Sequence, residues 1–91
     1  MWLALMNNVK LVYFAWVRER IGLAEEVVNL PDSVLTVSDL AAWLQLRGEE
    51  YAYAFENPSI VRAAINRKHV KPDTVIAGAS EIAFFPPMTG G

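Results

Sequence analysis

Four short segments of the chain have the composition of β-strands. They are residues 9–16 (VKLVYFAW), 25–30 (EEVVNL), 61–66 (VRAAIN) and 81–85 (EIAFF). The first is apolar at nearly every position, which is typical of a central strand covered on both faces. Residues 75–78 predict either a further short strand or a turn.

The clearest helical pattern begins at Thr36. The order Thr-Val-Ser-Asp places Asp39 at the third helical position, which is a capping box with Asp in place of the usual Glu. Leu40 and Leu44 then repeat with the spacing of one helix face, and we expect this face to pack on the sheet. Gly48 predicts the end of the helix.

Two shorter helices are predicted on either side of this one. Residues 17–21 are followed by Gly22, and a glycine at this position commonly ends a helix. Residues 49–57 alternate aromatic residues with alanine, a pattern that fits a strand or a short helix. We interpret this segment as a helix.

The order of these elements is strand, short helix, strand, long helix, irregular segment, strand, strand. It predicts an α+β fold in which a main helix covers one face of a mixed sheet, and among small folds the ubiquitin-like β-grasp fits best. We therefore divide the chain into an N-terminal extension, residues 1–8, a β-grasp domain, residues 9–85, and an extended, flexible C-terminal tail, residues 86–91. The extension is expected to be partly disordered, with Met6 as an alternative start.

Composition narrows the class of protein. The chain has 91 residues, enough for one domain, and a net charge of −2 argues against nucleic acid or an anionic membrane as the principal partner. There is no cysteine, which excludes disulfides, thiolate metal sites and a cysteine nucleophile. We expect a cytoplasmic protein.

No candidate for an internal catalytic or metal site emerges from the polar residues. His69 is the only histidine, and we expect it to be a solvated surface residue because no nucleophile stands near it in sequence. The acidic pairs Glu25-Glu26 and Glu49-Glu50 consist of neighbours that point in different directions, so we expect solvated charges. No glycine-rich phosphate loop and no set of metal ligands is present.

A basic cluster lies in the second half of the chain. It consists of Arg62, Arg67, Lys68 and Lys71. Such a cluster either faces an acidic partner or keeps a hairpin surface soluble, and the second interpretation is the more common one.

The end of the chain is unusual. Pro86 and Pro87 cannot extend a central strand and should project the following residues as a stiff arm. Gly90 and Gly91 offer no side chain for packing, but they suit a carboxylate that must enter a narrow cleft of another protein. A disordered chain end is the alternative interpretation.

Phe84 and Phe85 precede this arm, and successive strand residues face opposite sides of a sheet. Phe84 should share its face with Ile82 in the core, while Phe85 joins Ala83 on the outer face. An exposed aromatic surface there would form a protein-docking patch.

The end of the chain, residues 81–91 (EIAFFPPMTGG), resembles that of the molybdopterin synthase small subunit, the MoaD family of sulfur carriers. Other matching segments are residues 12–19 (VYFAWVRE), Thr36-Val37 with Leu40, residues 63–66 (AAIN), and Gly78 with Glu81. The final turn, AGASE at residues 77–81, departs from the acidic turn common in the family.

The resemblance implies a β-grasp carrier that binds no cofactor and has no active site of its own. An E1-like enzyme would use ATP to adenylate the Gly91 carboxylate, and a sulfur donor would convert it into a thiocarboxylate. The large catalytic subunit would then receive the tail, in a heterotetramer, and pass the sulfur to cyclic pyranopterin monophosphate. The partner-binding residues would be Phe85, Pro86, Pro87, Met88, Thr89 and Gly90.

Two alternatives remain at this point. One is a related β-grasp carrier or ubiquitin-like modifier whose tail joins a different acceptor. The other is a plain interaction module with an inert tail. The Phe-Phe-Pro-Pro-x-Thr ending favours the molybdopterin carrier over the first alternative, by resemblance.

Overall fold

A computed structural model describes residues 8–87 of the chain. The strands of this part are β1 (Asn8–Tyr13), β2 (Glu25–Asn29), β3 (Arg62–Ile65), β4 (Lys68–Val70) and β5 (Glu81–Phe85). The helices are α1 (Ala15–Ile21), α2 (Val37–Gln45) and α3 (Glu49–Ala54), with a single 3₁₀ turn at Pro58–Ile60. No helix among the described residues is long and apolar enough to cross a membrane.

The strands form one mixed sheet in the order β2-β1-β5-β3-β4. β1 and β5 are parallel, whereas the other neighbouring strands are antiparallel. This arrangement confirms the predicted β-grasp fold. It also places β5, the last strand before the tail, at the centre of the sheet.

One face of the sheet is covered by the helices. Leu11 and Tyr13 of β1 and Ile82 and Phe84 of β5 point to this face and are almost completely buried. Besides α2, both α1 and α3 contribute to the same core, which contains Val17, Ile21, Leu40, Leu44, Tyr51 and Ala54. Among residues 8–87 no helix packs on the other side of the sheet, which we call the outer face.

β1 is shorter than predicted. It ends at Tyr13, and Trp16 lies in α1 instead of the strand. The backbone turns at Ala15, whose φ is 52°, so the apolar run continues as a helix. At the other end of α1, Gly22 caps the helix with a φ of 92°, as predicted.

The start of α2 confirms the predicted capping box. The Thr36 hydroxyl accepts a hydrogen bond from the Asp39 amide at 3.1 Å, and the Asp39 carboxylate accepts one from the Thr36 amide at 3.2 Å. The predicted stop at Gly48 is wrong, because α2 ends at Gln45 and Gly48 is the N-cap of α3. The last turn tightens through a bond from the Leu46 amide to the Trp43 carbonyl, so no glycine is required.

The segment after β3 folds back as a hairpin. No strand was predicted directly after residues 61–66, but Lys68–Val70 forms the edge strand β4. In contrast, residues 75–78 form a turn with a single bridge between Thr36 and Val75. The division of the chain into an extension, a domain and a tail stays a prediction, although β1 already begins at Asn8.

Candidate functional site

The tail begins at the centre of the sheet. β5 ends at Phe85, and Pro86 and Pro87 follow it outside any strand, partly buried. The amide of Phe14 donates a hydrogen bond to the Phe84 carbonyl at 3.0 Å, which ties this end of β5 to β1. The predicted site residues Met88, Thr89, Gly90 and Gly91 lie outside the described residues.

Phe84 anchors this end of β5 in the core. Its ring is 1% exposed, meets the ring of Phe55 edge-on at 5.1 Å between centroids, and stacks on Tyr13 at 6.4 Å. Aromatic pairs in these geometries add to the stabilisation from burial. The base of the tail is therefore held rigidly, and the predicted inward orientation of Phe84 is confirmed.

Phe85 points to the outer face. It lies opposite Arg62 of β3 and its ring is 5.0 Å from that of His69, between centroids. His69 is exposed, as predicted, but its contact with Phe85 was missed because β4 was not recognised as a strand. The structure thus brings together two residues that stand 16 positions apart in the sequence.

Phe14 is a further aromatic residue at this end of the sheet. It follows Tyr13, which pairs with Phe84, so the parallel register places Phe14 beside Phe85 on the outer face. Its side chain is 50% exposed. From the sequence, Phe14 was assigned to a strand covered on both faces. Leu11 and Tyr13 are buried, and the period of two along a strand could have placed Phe14 on the opposite face.

The outer face has an apolar centre. Ala64 of β3 and Ala83 of β5 pair with each other and are buried, and Val12 lies opposite Ala83 on the other side. Phe14 is half exposed and Phe85 is partly exposed at the tail end of this face, where they form an apolar surface beside the start of the tail. An apolar surface of this kind is typical of a protein-docking site.

Glu26 differs from the predicted solvated charge. Its carboxylate accepts hydrogen bonds from the Tyr13 hydroxyl at 2.8 Å, the Tyr51 hydroxyl at 2.7 Å and the Arg47 guanidinium at 3.2 Å. Its neighbour Glu25 is exposed and pairs with Lys10 at 3.3 Å, as expected of a surface residue. The contacts of Glu26 join β1, β2 and the start of α3.

The environment of Glu26 shifts three pKa values. Burial of the Glu26 carboxylate favours its neutral form, but the hydrogen bonds from Tyr51 and Tyr13 and the charge of Arg47 outweigh it, so the pKa of Glu26 is lowered. Burial and the bond to Glu26 raise the pKa of Tyr51 to about 12 and also raise the pKa of Tyr13. These groups stay in one protonation state near neutral pH, which suits a structural role.

Within residues 8–87, no group of three or more His, Cys, Asp or Glu side chains is placed to hold a metal ion.

The mixed five-stranded sheet with helices on one face defines a protein of the ubiquitin-like β-grasp class. A family model described as the ThiS family matches residues 11–91, so the chain belongs to this family.

Two relatives carry the name molybdopterin synthase sulfur carrier subunit. The protein from Haemophilus influenzae is 35% identical over 86 residues, which are 94% of this chain and 100% of the relative. The protein from Escherichia coli is 34% identical over 85 residues, or 91% of this chain and 99% of the relative.

The fold is also that of solved structures. A putative molybdopterin converting factor, subunit 1, from Pyrococcus furiosus superposes with a TM-score of 0.70 at 28% identity, covering 89% of this chain and 98% of that chain. SAMP1 from Haloferax volcanii superposes with a TM-score of 0.67 at 22% identity, covering 92% and 99% respectively. The latter likeness concerns the fold alone.

Proposed function

We propose that this protein is the sulfur carrier subunit of a molybdopterin synthase and acts in molybdenum cofactor biosynthesis. The observation that carries the proposal is the full-length similarity to two relatives that bear this name. The end of β5 supports it, because Phe84 anchors this strand in the core and Pro86 and Pro87 follow it outside any strand.

The proposed chemistry takes place at the carboxylate of Gly91. A carboxylate is a poor electrophile, so an activating enzyme first joins one of its oxygens to the α-phosphorus of ATP and releases pyrophosphate. Sulfur from a donor at the oxidation level of sulfide then attacks the acyl carbon, and AMP departs with the bonding electron pair. The product is a thiocarboxylate, and Gly91 has no β-carbon to obstruct these attacks.

The large subunit of molybdopterin synthase is the proposed recipient of the sulfur. It would accept the tail in a narrow cleft, lined up by Pro86, Pro87, Met88, Thr89 and Gly90, and would supply the groups that act on the pterin precursor. Prolines reduce the conformational entropy that the tail loses on insertion. The apolar surface around Phe14 and Phe85 would dock on the subunit beside the cleft.

Intact-mass spectrometry tests carrier status directly. The protein is incubated with the activating enzyme, ATP and a sulfur donor. Replacement of one oxygen by sulfur adds roughly 16 Da, as the exchange of leaving groups above requires. A variant that lacks Gly91 is the control and should gain no mass, while an unchanged mass of the wild-type chain would contradict the proposal.

A second assay separates this function from that of a related carrier or protein modifier. The thiocarboxylated chain is mixed with the large subunit and the cyclic pterin precursor, and formation of the dithiolene product is followed. Loss of the added sulfur from the carrier should accompany product formation. Attachment of the chain to lysines of other proteins, without product, would favour a modifier.

A further inference from the structure

The positive charge of this chain is concentrated in the β3–β4 hairpin. Half of the eight Lys and Arg residues lie there, and no acidic residue occurs between Glu56 and Asp73. The remainder of the chain is correspondingly acidic, since the net charge is −2. We call residues 62–71 the basic hairpin, with the cations Arg62, Arg67, Lys68 and Lys71.

The cations of the basic hairpin have no acidic partner in the described part of the chain. The ion pairs of residues 8–87 use other cations, namely Lys10, Arg20 and Arg47. All four side chains of the hairpin are exposed. Their charge is therefore available to another molecule.

Arg67 stands in a conformation that an arginine adopts at a cost. The hairpin loop consists of Asn66 and Arg67, with φ values of 48° and 72°, because Ile65 pairs with Lys68. A two-residue turn with both φ values positive strongly prefers glycine at its second position, and asparagine is common at its first. Arg67 replaces that glycine with a long cation, which indicates a role for the charge at the tip.

The tip is held firmly despite this strain. The side-chain oxygen of Asn66 accepts hydrogen bonds from the amides of Ser80 and Glu81 at 3.1 and 3.0 Å. The Asn66 amide donates to the Glu81 carbonyl at 2.9 Å. The basic hairpin is thus fixed to the start of β5 and presents its charges in a defined arrangement.

The other end of the basic hairpin lies beside the base of the tail. Arg62 is opposite Phe85, and Lys71 follows Val70, which is opposite Ala63. Arg62 and Lys71 also line the same surface cavity of about 190 Å³. A protein that receives the tail must therefore approach these cations as it approaches Phe85.

We propose that the basic hairpin binds an acidic surface on the large subunit, next to the cleft that receives the tail. This inference rests on the proposed function and adds the electrostatic character of the partner. Charges at the rim of an interface mainly increase the rate of association and fix the orientation of the encounter, whereas the buried centre determines most of the affinity. The basic hairpin then orients the carrier, and the apolar surface around Phe14 and Phe85 holds it.

A pair of matched charge variants tests the inference. Arg62→Gln with Lys71→Gln removes two positive charges from the end of the basic hairpin beside the tail, while Ala42→Glu with Leu46→Glu makes the same change in net charge at an exposed position of α2 and at its exposed C-cap. Association with the cognate large subunit is measured by surface plasmon resonance at about 0.05 M and about 0.5 M salt. The hairpin variant should associate roughly tenfold more slowly at low salt and nearly as fast as wild type at high salt, and the α2 variant should match the wild type at both.

The variant Arg67→Gly separates the effect of the Arg67 charge on association from its effect on stability. Glycine relieves the strain at a φ of 72°, so the melting temperature should rise by roughly 3 °C or more. Association at low salt should nevertheless become slower, because a cation at the tip is lost. A merely structural residue would not show these opposite changes.

Four outcomes are decisive. Equal association rates of the hairpin variant and wild type at low salt would overturn the inference, as would an equal loss in the α2 variant. An Arg67→Gly protein that is more stable and associates as fast as wild type would also contradict it. If the wild-type chain does not bind the large subunit at all, the proposed function itself fails.

Discussion

Phe84 and Phe85 are adjacent in the chain, yet Phe84 is buried in the core while Phe85 lies on the outer face at the start of the tail. Phe84 is 1% exposed and packs edge-on against Phe55, whereas Phe85 is partly buried and contacts His69 on the outer face. The period of two along a strand produces this division. It gives two neighbouring phenylalanines different physical roles.

The first prediction concerns this pair. Phe84→Ala should lower the free energy of unfolding by about 3–5 kcal/mol, because it leaves a cavity in the core. Phe85→Ala should lower it by only about 1 kcal/mol but weaken binding of the large subunit roughly tenfold or more. Urea denaturation and titration calorimetry measure the two effects. A large loss of stability in Phe85→Ala with unchanged affinity would assign this ring to the core.

The second prediction concerns the last residue. Removal of Gly91, or addition of one alanine after it, should abolish sulfur transfer and leave the urea denaturation curve unchanged. The chemistry requires the terminal carboxylate at a fixed number of residues after Phe85. The stability of β5, in contrast, does not depend on Gly91. Full pterin-sulfurating activity of the truncated chain with its partners would exclude the carrier mechanism.

The third prediction concerns the pH dependence of stability. The pKa of Glu26 is lowered in the folded protein, so its stabilising contribution is complete above the unfolded value near 4.5 and is lost as the pH falls through the folded value. Glu26→Gln should cost about 2 kcal/mol at neutral pH, because the two tyrosine hydroxyls and Arg47 lose a charged acceptor. Below the folded pKa the difference from wild type should largely disappear.

Unfolding in urea at neutral and at acidic pH measures this effect. Glu25→Gln is a matched control, since its carboxylate is exposed and makes only the surface pair with Lys10. The control should differ from wild type by less than about 1 kcal/mol at both pH values. A similar loss in both variants at neutral pH would mean that the Tyr13 and Tyr51 bonds contribute nothing specific.

The fourth prediction concerns the start of α2. Thr36→Ala removes the side-chain acceptor of the Asp39 amide and should lower the free energy of unfolding by about 1 kcal/mol. Thr74→Ala is a suitable control, because the Thr74 hydroxyl makes no hydrogen bond to the described residues. Thermal unfolding followed by circular dichroism distinguishes the two. Equal melting temperatures of the two variants would show that the cap is not stabilising.

The elements that could be predicted from sequence are those with local signals. The capping box needs only Thr36 and Asp39, three positions apart, and β5 needs only a run of apolar residues between a turn and two prolines. The opposite orientations of Phe84 and Phe85 also follow from local geometry.

The features that escaped prediction depend on distant partners or lack an apolar pattern. Glu26 accepts hydrogen bonds from Tyr13 and Tyr51, which are 13 and 25 positions away in the sequence. The orientation of adjacent residues therefore could not show that this carboxylate is bound and not solvated. β4 is an edge strand of three residues, two of them exposed, and such strands carry no hydrophobic run. The contact between His69 and Phe85 could be found only once β4 was paired with β3.

The central position of β5 has a consequence for folding during synthesis. The strand pairs β1–β2 and β3–β4 and all the helices are synthesised before residues 81–85. The two strand pairs cannot join into one sheet until β5 is inserted between β1 and β3. A nascent chain therefore exposes two unpaired strand edges until synthesis has reached the tail. Chains that stop short of Phe85 lack the central strand of the sheet and should be removed by proteolysis.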